Sequence, residues 1–316
     1  MSYPSPYSLG ATLYMPALRS DILDTVFRKK LPQLRSLVVC LEDAIAEPDV
    51  PLALQKLDLL LTNIEQAGGR LAKGPLLFVR PRNAEMAAAL NDWPLIKHID
   101  GFVLPKLGLS NLPIWSAAVT NPNLLLMPTL ETAEVFNPSA MVELGLALKS
   151  TFEKRVLALR IGGNDLLGCL GLRRNPKTTL YDTPMGYAIP MLVSIMGVQG
   201  FALTAPVFEQ LATPELLEAE LELDIAHGLV GKTAIHPSQI NIIQHSLRVS
   251  LDDLNSANIL LSDSPPAVFK HNGAMCEPAT HLKWAFNILQ RAKWYGVKAS
   301  KSGQQELSVR FFGVNR

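Results

Sequence analysis

The sequence is short of the features that mark several large classes of protein. It has only three cysteines, Cys40, Cys169 and Cys276, and none are in CxxC spacing. That argues against cysteine-bound zinc and a disulfide framework, and it favours a reducing compartment. Charge is sparse as well as balanced: 18% of residues are charged and the net charge is +1. No basic field calls for nucleic acid, and no Lys/Arg run marks a membrane surface. No apolar run reaches the ~18 uninterrupted residues of a membrane span. The opening MSYPSPYSLG lacks the charged and apolar regions of a signal peptide. No GxGxxG follows the first apolar run, and there is no internal repeat or low-complexity segment. These absences leave a cytoplasmic enzyme as the plain expectation.

What the chain does have is apolar residues, 48% of 316, enough for a large buried core. They gather in eight short continuous runs: ATLYM from Ala11, LVVCL from Leu37, LLFVR from Leu76, GFVLP from Gly101, LLLMP from Leu124, VLALRI from Val156, FALTA from Phe201 and KTAIH from Lys232. Continuous rather than alternating runs are what parallel strands covered on both faces look like. Helical patterns lie between them, among them residues 21–30, 51–67, 84–90 and 214–227. Strand–helix alternation repeated in this way predicts a (β/α)8 TIM barrel, which needs roughly 250 residues. A doubly wound sheet is the competing arrangement. Residues 1–250 are assigned to the barrel. Residues 251–316 form a C-terminal helical lid extension, with helices over 251–261 and 281–295, a loop between them, and an exposed or swapped tail from Val297.

Barrel enzymes carry their chemistry at the C-terminal ends of the strands, and here those ends are rich in charge. Glu42 and Asp43 follow the second run, Arg80 and Arg82 close the third, and Lys106 follows the fourth. Glu131 follows the fifth run, Asp165 the sixth, and His236 ends the eighth. Glu131 and Asp165 stand past neighbouring strands, and two hard oxygen donors suit Mg²⁺ or Mn²⁺; capping acids at helix starts occupy the same kind of place. Gly162 and Gly163 let backbone N–H groups approach an anionic ligand. Arg80 is suited to a carboxylate or an enolate oxygen, although a structural ion pair with Glu42 or Asp43 also fits. Of these two adjacent acids, one is expected to orient Arg80 or a water, and the other to cap the next helix. Lys106 is read equally as a carboxylate ligand or an ion-pair partner. His236 is read as a structural hydrogen-bonding group, and Cys40 as inert core.

The same segments, in order over about residues 11–290, resemble the citrate lyase β-subunit superfamily, which includes the malyl- and citramalyl-CoA lyases. The carrying segments are LYMPALRSD, VVCLEDAI, LFVRPRN, GFVLPKLG, MPTLET, IGGNDL, GKTAIHPSQI and HNGAMCEPATHLKWA. The resemblance implies cleavage of a 3-hydroxyacyl thioester, carried by CoA or a carrier protein, into a small 2-keto acid and an acyl thioester. It implies Mg²⁺ (or Mn²⁺) on Glu131 and Asp165, and catalytic roles for Arg80 and Asp43. Gly162, Gly163, Lys106 and Arg80 would bind substrate. A proton-handling acid from a neighbouring subunit's lid corresponds to Glu277, where the family commonly has aspartate; this implies a homo-oligomer, trimeric or larger. Cys40, Ala17 and Thr204 depart from the family pattern. The whole sequence is most similar to the branch encoded beside bacterial tellurium-resistance genes. Two other functions compete: an aldolase acting on a free 2-keto-4-hydroxy acid, and a non-catalytic barrel acting as a stress-response partner.

Overall fold

A computed structural model of the chain describes residues 4–298 apart from Asn272. Eight strands, β1 (Gly10–Pro16), β2 (Ser36–Cys40), β3 (Leu76–Arg80), β4 (Gly101–Leu104), β5 (Leu125–Leu130), β6 (Leu159–Ile161), β7 (Leu203–Thr204) and β8 (Gly231–Ala234), form one sheet. Its order is β7-β6-β5-β4-β3-β2-β1-β8, with parallel pairing at each neighbour. The two outer strands meet in a parallel bridge between Ala205 and Lys232, where the Ala205 N–H donates to the Gly231 carbonyl at 2.7 Å. The sheet therefore closes on itself as a (β/α)8 barrel, as the alternation predicts.

Continuous apolar runs become strands because both faces are covered. Every residue of β2, β4 and β5 is buried. Inside the barrel, Leu9, Val38, Phe78, Val103, Met127 and Ala158 pack into one cluster. The helix layer consists of α1 (Ile22–Val26), α2 (Val50–Gln66), α3 (Ala84–Asn91), α4 (Leu112–Ala118), α5 (Pro138–Phe152), α6 (Gly163–Cys169), α7 (Met185–Val198), α8 (Pro214–Ala226) and α9 (Ser238–Ser246). Helix α2 shows the logic of the layer. Pro51 sits in its first turn, where the missing N–H costs nothing, and Ala53, Leu57, Leu60, Leu61 and Ile64 make its buried stripe.

The chain divides into two compact units, Met1–Ser246 and Leu247–Arg316. In the second, α10 (Leu251–Leu260) and α11 (Pro278–Tyr295) share a core of Leu254, Ala257, Leu260, Ala285, Ile288 and Ala292. Two details, the length of β7 and the segment between α10 and α11, differ from the sequence expectation. Strand β7 keeps only two residues of FALTA, because Phe201 follows directly on the turn at Gly200 (φ +96°) that ends α7. Helix α7 forms despite Pro190, because a run of apolar residues along it is buried. The segment read as a loop between α10 and α11 holds an antiparallel hairpin, β9 (Phe269–His271) with β10 (Ala274–Cys276), which turns at Gly273 (φ +81°). Most of the tail expected from Val297 lies outside the described residues. Among the described residues, no helix is long and apolar enough to cross a membrane.

A buried ion network ties the closing strand to the helix layer. Lys232 on β8 points outward and donates to Glu220 (2.9 Å) and Asp224 (2.7 Å) on α8. Arg174, beyond α6, donates to the far oxygen of Glu220 at 2.6 Å, and the Tyr181 hydroxyl donates to Asp224 at 2.8 Å. Lys232 is the lysine of the GKTAIHP segment, so its part here is architectural. Removing one member of a buried network leaves its partners' charge uncompensated, at roughly 3–5 kcal/mol. Lys232→Met is therefore expected to lose about that much stability in denaturant unfolding, whereas a loss within ~1 kcal/mol would show that the network does not hold the seam.

Candidate active site

The mouth of the barrel is organised around Arg80, the last residue of β3 and almost wholly buried. One of its terminal nitrogens faces three carboxylates: Glu131 at 3.1 Å, Asp43 at 3.4 Å, and Glu42 closer still. Both acids after β2 thus reach the same guanidinium. The expected division of labour, in which one of them caps the next helix, does not occur; Asp49 occupies the N-cap of α2. The structure also separates the two arginines. Arg82 turns to the β2–α2 loop and donates to the carbonyl of Ile45 (2.8 Å) and the carboxylate of Glu47 (2.8 Å).

Glu131 follows β5 and is 3% exposed. Its Oε1 accepts from Arg80 and, at 2.8 Å, from the backbone N–H of Lys106. Lys106 sits at φ +51°, a left-handed conformation uncommon outside glycine. That conformation turns the N–H of the β4 loop onto the carboxylate. The Lys106 side chain is half exposed and reaches Glu42 at 3.4 Å. Gly162 completes the seat: a Cβ there would fall 2.4 Å from both Cβ and Oε2 of Glu131. Gly163 is similarly tight, because its Cβ would lie 2.8 Å from Pro206. These close approaches explain the paired glycines more directly than ligand binding does.

Asp165 lies in the first turn of α6 and faces the same cavity as Asp43, Arg80, Glu131, Gly162 and Gly163, a space of about 370 Å³. Its acids repel one another. Burial raises the pKa of Glu131, with Asp165 adding to the rise and Arg80 opposing it. Burial and then Asp43 raise Asp165. Glu42 is pushed up to about 7, chiefly by burial, with Asp43 and Glu131 adding and Arg80 opposing. Four acids against Arg80 and the half-exposed Lys106, all offering oxygen donors, fit a hard divalent cation. Among the described residues no set of three or more His, Cys, Asp or Glu is arranged to hold a metal. Two carboxylates are nevertheless the usual protein share for Mg²⁺, which keeps waters and substrate oxygens for its other positions.

Of the remaining predicted residues, His236 is exposed and its Nδ1 pairs with Ser238 at 2.8 Å, a local turn contact. Cys40 is buried but lines the cavity, so it is more than core filling. Thr204 is fully buried on β7. Glu277 is the N-cap residue of α11, in the second unit. Reading only the strand ends missed Tyr14, Thr129, Arg160 and Thr233, which line the same cavity from within the strands. The signal available was an arginine inside the apolar run VLALRI.

Comparison with known proteins agrees with the barrel fold. The family model for C–C bond lyases of the TIM-barrel fold matches residues 3–297. Among solved structures, the chain is similar to CitE from Mycobacterium tuberculosis in complex with magnesium, acetoacetate and coenzyme A. The TM-score is 0.64 at 23% identity, covering 91% of this chain and 99% of that one. It is similar to a citrate lyase from Burkholderia xenovorans LB400, with TM-score 0.70 and 14% identity over 93% and 94% of the two chains. The citrate lyase β subunit of M. tuberculosis complexed with oxaloacetate and magnesium gives 0.55 at 20% identity, over 76% and 98%. At these identities the likeness is one of fold. No curated protein matches the chain.

The tight seat of Glu131 has a measurable consequence. Gly162→Ala is expected to cost about 1–3 kcal/mol in chemical denaturation, the usual cost of overpacking. Gly168→Ala, six residues on in α6 with nothing within 4 Å of the new methyl, serves as the control and is expected to be neutral or slightly stabilising. Equal effects of the two substitutions would contradict the packing described.

Proposed function

The chain belongs to the C–C bond lyases of the TIM-barrel fold, and on that premise we propose that it cleaves a 3-hydroxyacyl thioester into a 2-keto acid and an acyl thioester. The observation that carries the proposal is the convergence of Glu131, Asp165 and Arg80 on one cavity at the C-terminal ends of the strands. Glu131 and Asp165 are the residues to hold Mg²⁺ or Mn²⁺, and Mg²⁺ in the M. tuberculosis complexes supports that assignment. When bound there, the cation would supply Lewis-acid stabilisation of charge on the keto-acid half. Arg80 binds that half or the enolate oxygen of the thioester half. Asp43, half exposed at the rim, keeps the guanidinium turned to the cavity. Gly162 and Gly163 line the same cavity and Lys106 the groove beside it, and besides their part in seating Glu131 they are proposed to contact the substrate.

A base removes the proton of the 3-hydroxyl and its oxygen becomes the carbonyl of the keto acid. The bond between C2 and C3 of the acyl chain breaks, and its electron pair forms the thioester enolate, which a proton quenches. Glu277, offered by the extension of a neighbouring subunit, is proposed for that proton transfer. The working form is then a homo-oligomer, trimeric or larger, in the cytoplasm. Residues 1–250 form its catalytic barrel and 251–316 its lid. CoA is proposed as the carrier, in line with the M. tuberculosis complex.

One observation favours a second reading, aldol cleavage of a free 2-keto-4-hydroxy acid. The groove beside the cavity, about 780 Å³, is lined by Glu42, Asp43, Glu47 and Glu85 against Arg82 and Lys106. An acidic groove is a poor seat for the phosphates of a CoA tail. A panel of hydroxyacyl-CoAs and free hydroxy keto acids, assayed for Mg²⁺-dependent keto-acid release, separates the two. The thioester reading predicts release from a CoA ester, reduced about 10²-fold or more in Glu131→Gln and Asp165→Asn. Release from free acids alone establishes the aldolase, and release from neither class refutes both.

A further inference from the structure

Four basic side chains are buried among the described residues: Arg80, Arg160, Arg174 and Lys232. Three of them meet carboxylates. Arg80 faces Glu42, Asp43 and Glu131, Arg174 faces Glu209 and Glu220, and Lys232 faces Glu220 and Asp224. Arg160, on β6 and only 2% exposed, has no such partner. Its guanidinium donates to the Thr233 hydroxyl at 2.5 Å, lies 3.9 Å from the Met127 sulfur, and rests over the ring of Tyr14 at 5.2 Å. A hydroxyl, a thioether and a ring face orient the group, and the Glu131 carboxylate attracts it from beyond ion-pair distance, so no carboxylate is in contact with it.

A buried, uncompensated guanidinium is costly. A ligand anion in contact with it would lower that cost further than the distant Glu131 does. Its surroundings fit that role. Arg160 lines the 370 Å³ cavity together with Tyr14, Thr129 and Thr233. Thr129 is its register partner on β5, and the Thr129 hydroxyl is buried without a hydrogen-bond partner. Thr204 is its register partner on β7, and its hydroxyl is likewise buried and unpaired. Of these two hydroxyls Thr129 lines the cavity, so Arg160 and Thr129 together offer donors to one anionic acceptor. Glu131 and Asp165 stand at the rim of the same cavity, beyond the strand ends.

From this we infer that Arg160, with Thr129, binds a second carboxylate on the keto-acid half, so that the cavity takes a 2-oxo dicarboxylate in preference to a monocarboxylate. The 2-oxo-acid end lies at Glu131, Asp165 and Arg80, and the distal carboxylate reaches down to Arg160. Arg160 is then the specificity-determining residue. The inference rests on reading the cavity as a keto-acid site, but not on the lyase reaction itself.

The test is calorimetric titration of the full-length protein in excess Mg²⁺ with two matched ligand pairs: oxaloacetate against 2-oxobutanoate, and 2-oxoglutarate against 2-oxopentanoate. Within each pair the distal carboxylate is the chief difference. A buried charge-assisted contact predicts about tenfold or more tighter binding of at least one dicarboxylate than of its partner. Arg160→Met is expected to abolish that preference while leaving monocarboxylate affinity within about threefold, and Arg160→Lys to restore part of it. Equal affinity within both pairs for the unmodified protein overturns the inference without any variant having to fold. So does an Arg160→Met effect of the same size on both members of a pair. Binding of no keto acid overturns it together with the keto-acid reading. A preserved dicarboxylate preference in a protein that cleaves no thioester refutes only the lyase proposal.

Discussion

The constraint on which the site depends is the contact between one guanidinium and three carboxylates. Arg80 is anchored at the end of β3, so its position is set by the barrel rather than by a loop. Burial pushes the carboxyls of Glu42 and Glu131 up, and the Arg80 guanidinium opposes that rise in both. Yet at the mouth Arg80 and the half-exposed Lys106 face four acids, Glu42, Asp43, Glu131 and Asp165, and burial and Asp43 push Asp165 up. This local excess of acids at the mouth suits a further cation, and the geometry is set before that cation arrives. The left-handed Lys106 and the side-chain-free Gly162 belong to the same construction. Each holds Glu131 in place, one by a directed N–H and the other by leaving room.

The barrel beneath supplies the rigidity this requires. Its weakest pairing is the seam between β7 and β8, where β7 has only two residues. The seam is reinforced from outside by Lys232, Glu220, Asp224 and Arg174, and inside by the Thr233 hydroxyl accepting from Arg160. Neighbouring residues of one strand therefore do opposite jobs, with Lys232 turned to the helices and Thr233 to the cavity. This division follows from the alternation of side chains along a strand.

Much of the architecture was legible in the sequence, because parallel strands buried on both faces leave continuous apolar runs, and eight such runs with helices between them have few other solutions. The acids and Arg80 were legible for a related reason: charge at the end of an apolar run has to face the mouth. Other features depend on contacts distant in sequence. The joint hold of Glu42 and Asp43 on Arg80 needs side-chain directions that a strand end does not fix. Arg160 and Tyr14 lie inside runs that read as core, so only the closed barrel shows that they line the cavity. The hairpin at residues 269–276 is short and exposed, and it lacks the long alternating pattern that would have announced it.

The central claim is that Glu131 and Asp165 together hold a divalent cation. Mn²⁺ binding to the full-length protein, followed by electron paramagnetic resonance, tests it without requiring turnover. The account predicts one site per chain that Mg²⁺ displaces and that both Glu131→Gln and Asp165→Asn lose while the proteins remain folded. Undiminished Mn²⁺ binding in either variant would contradict it.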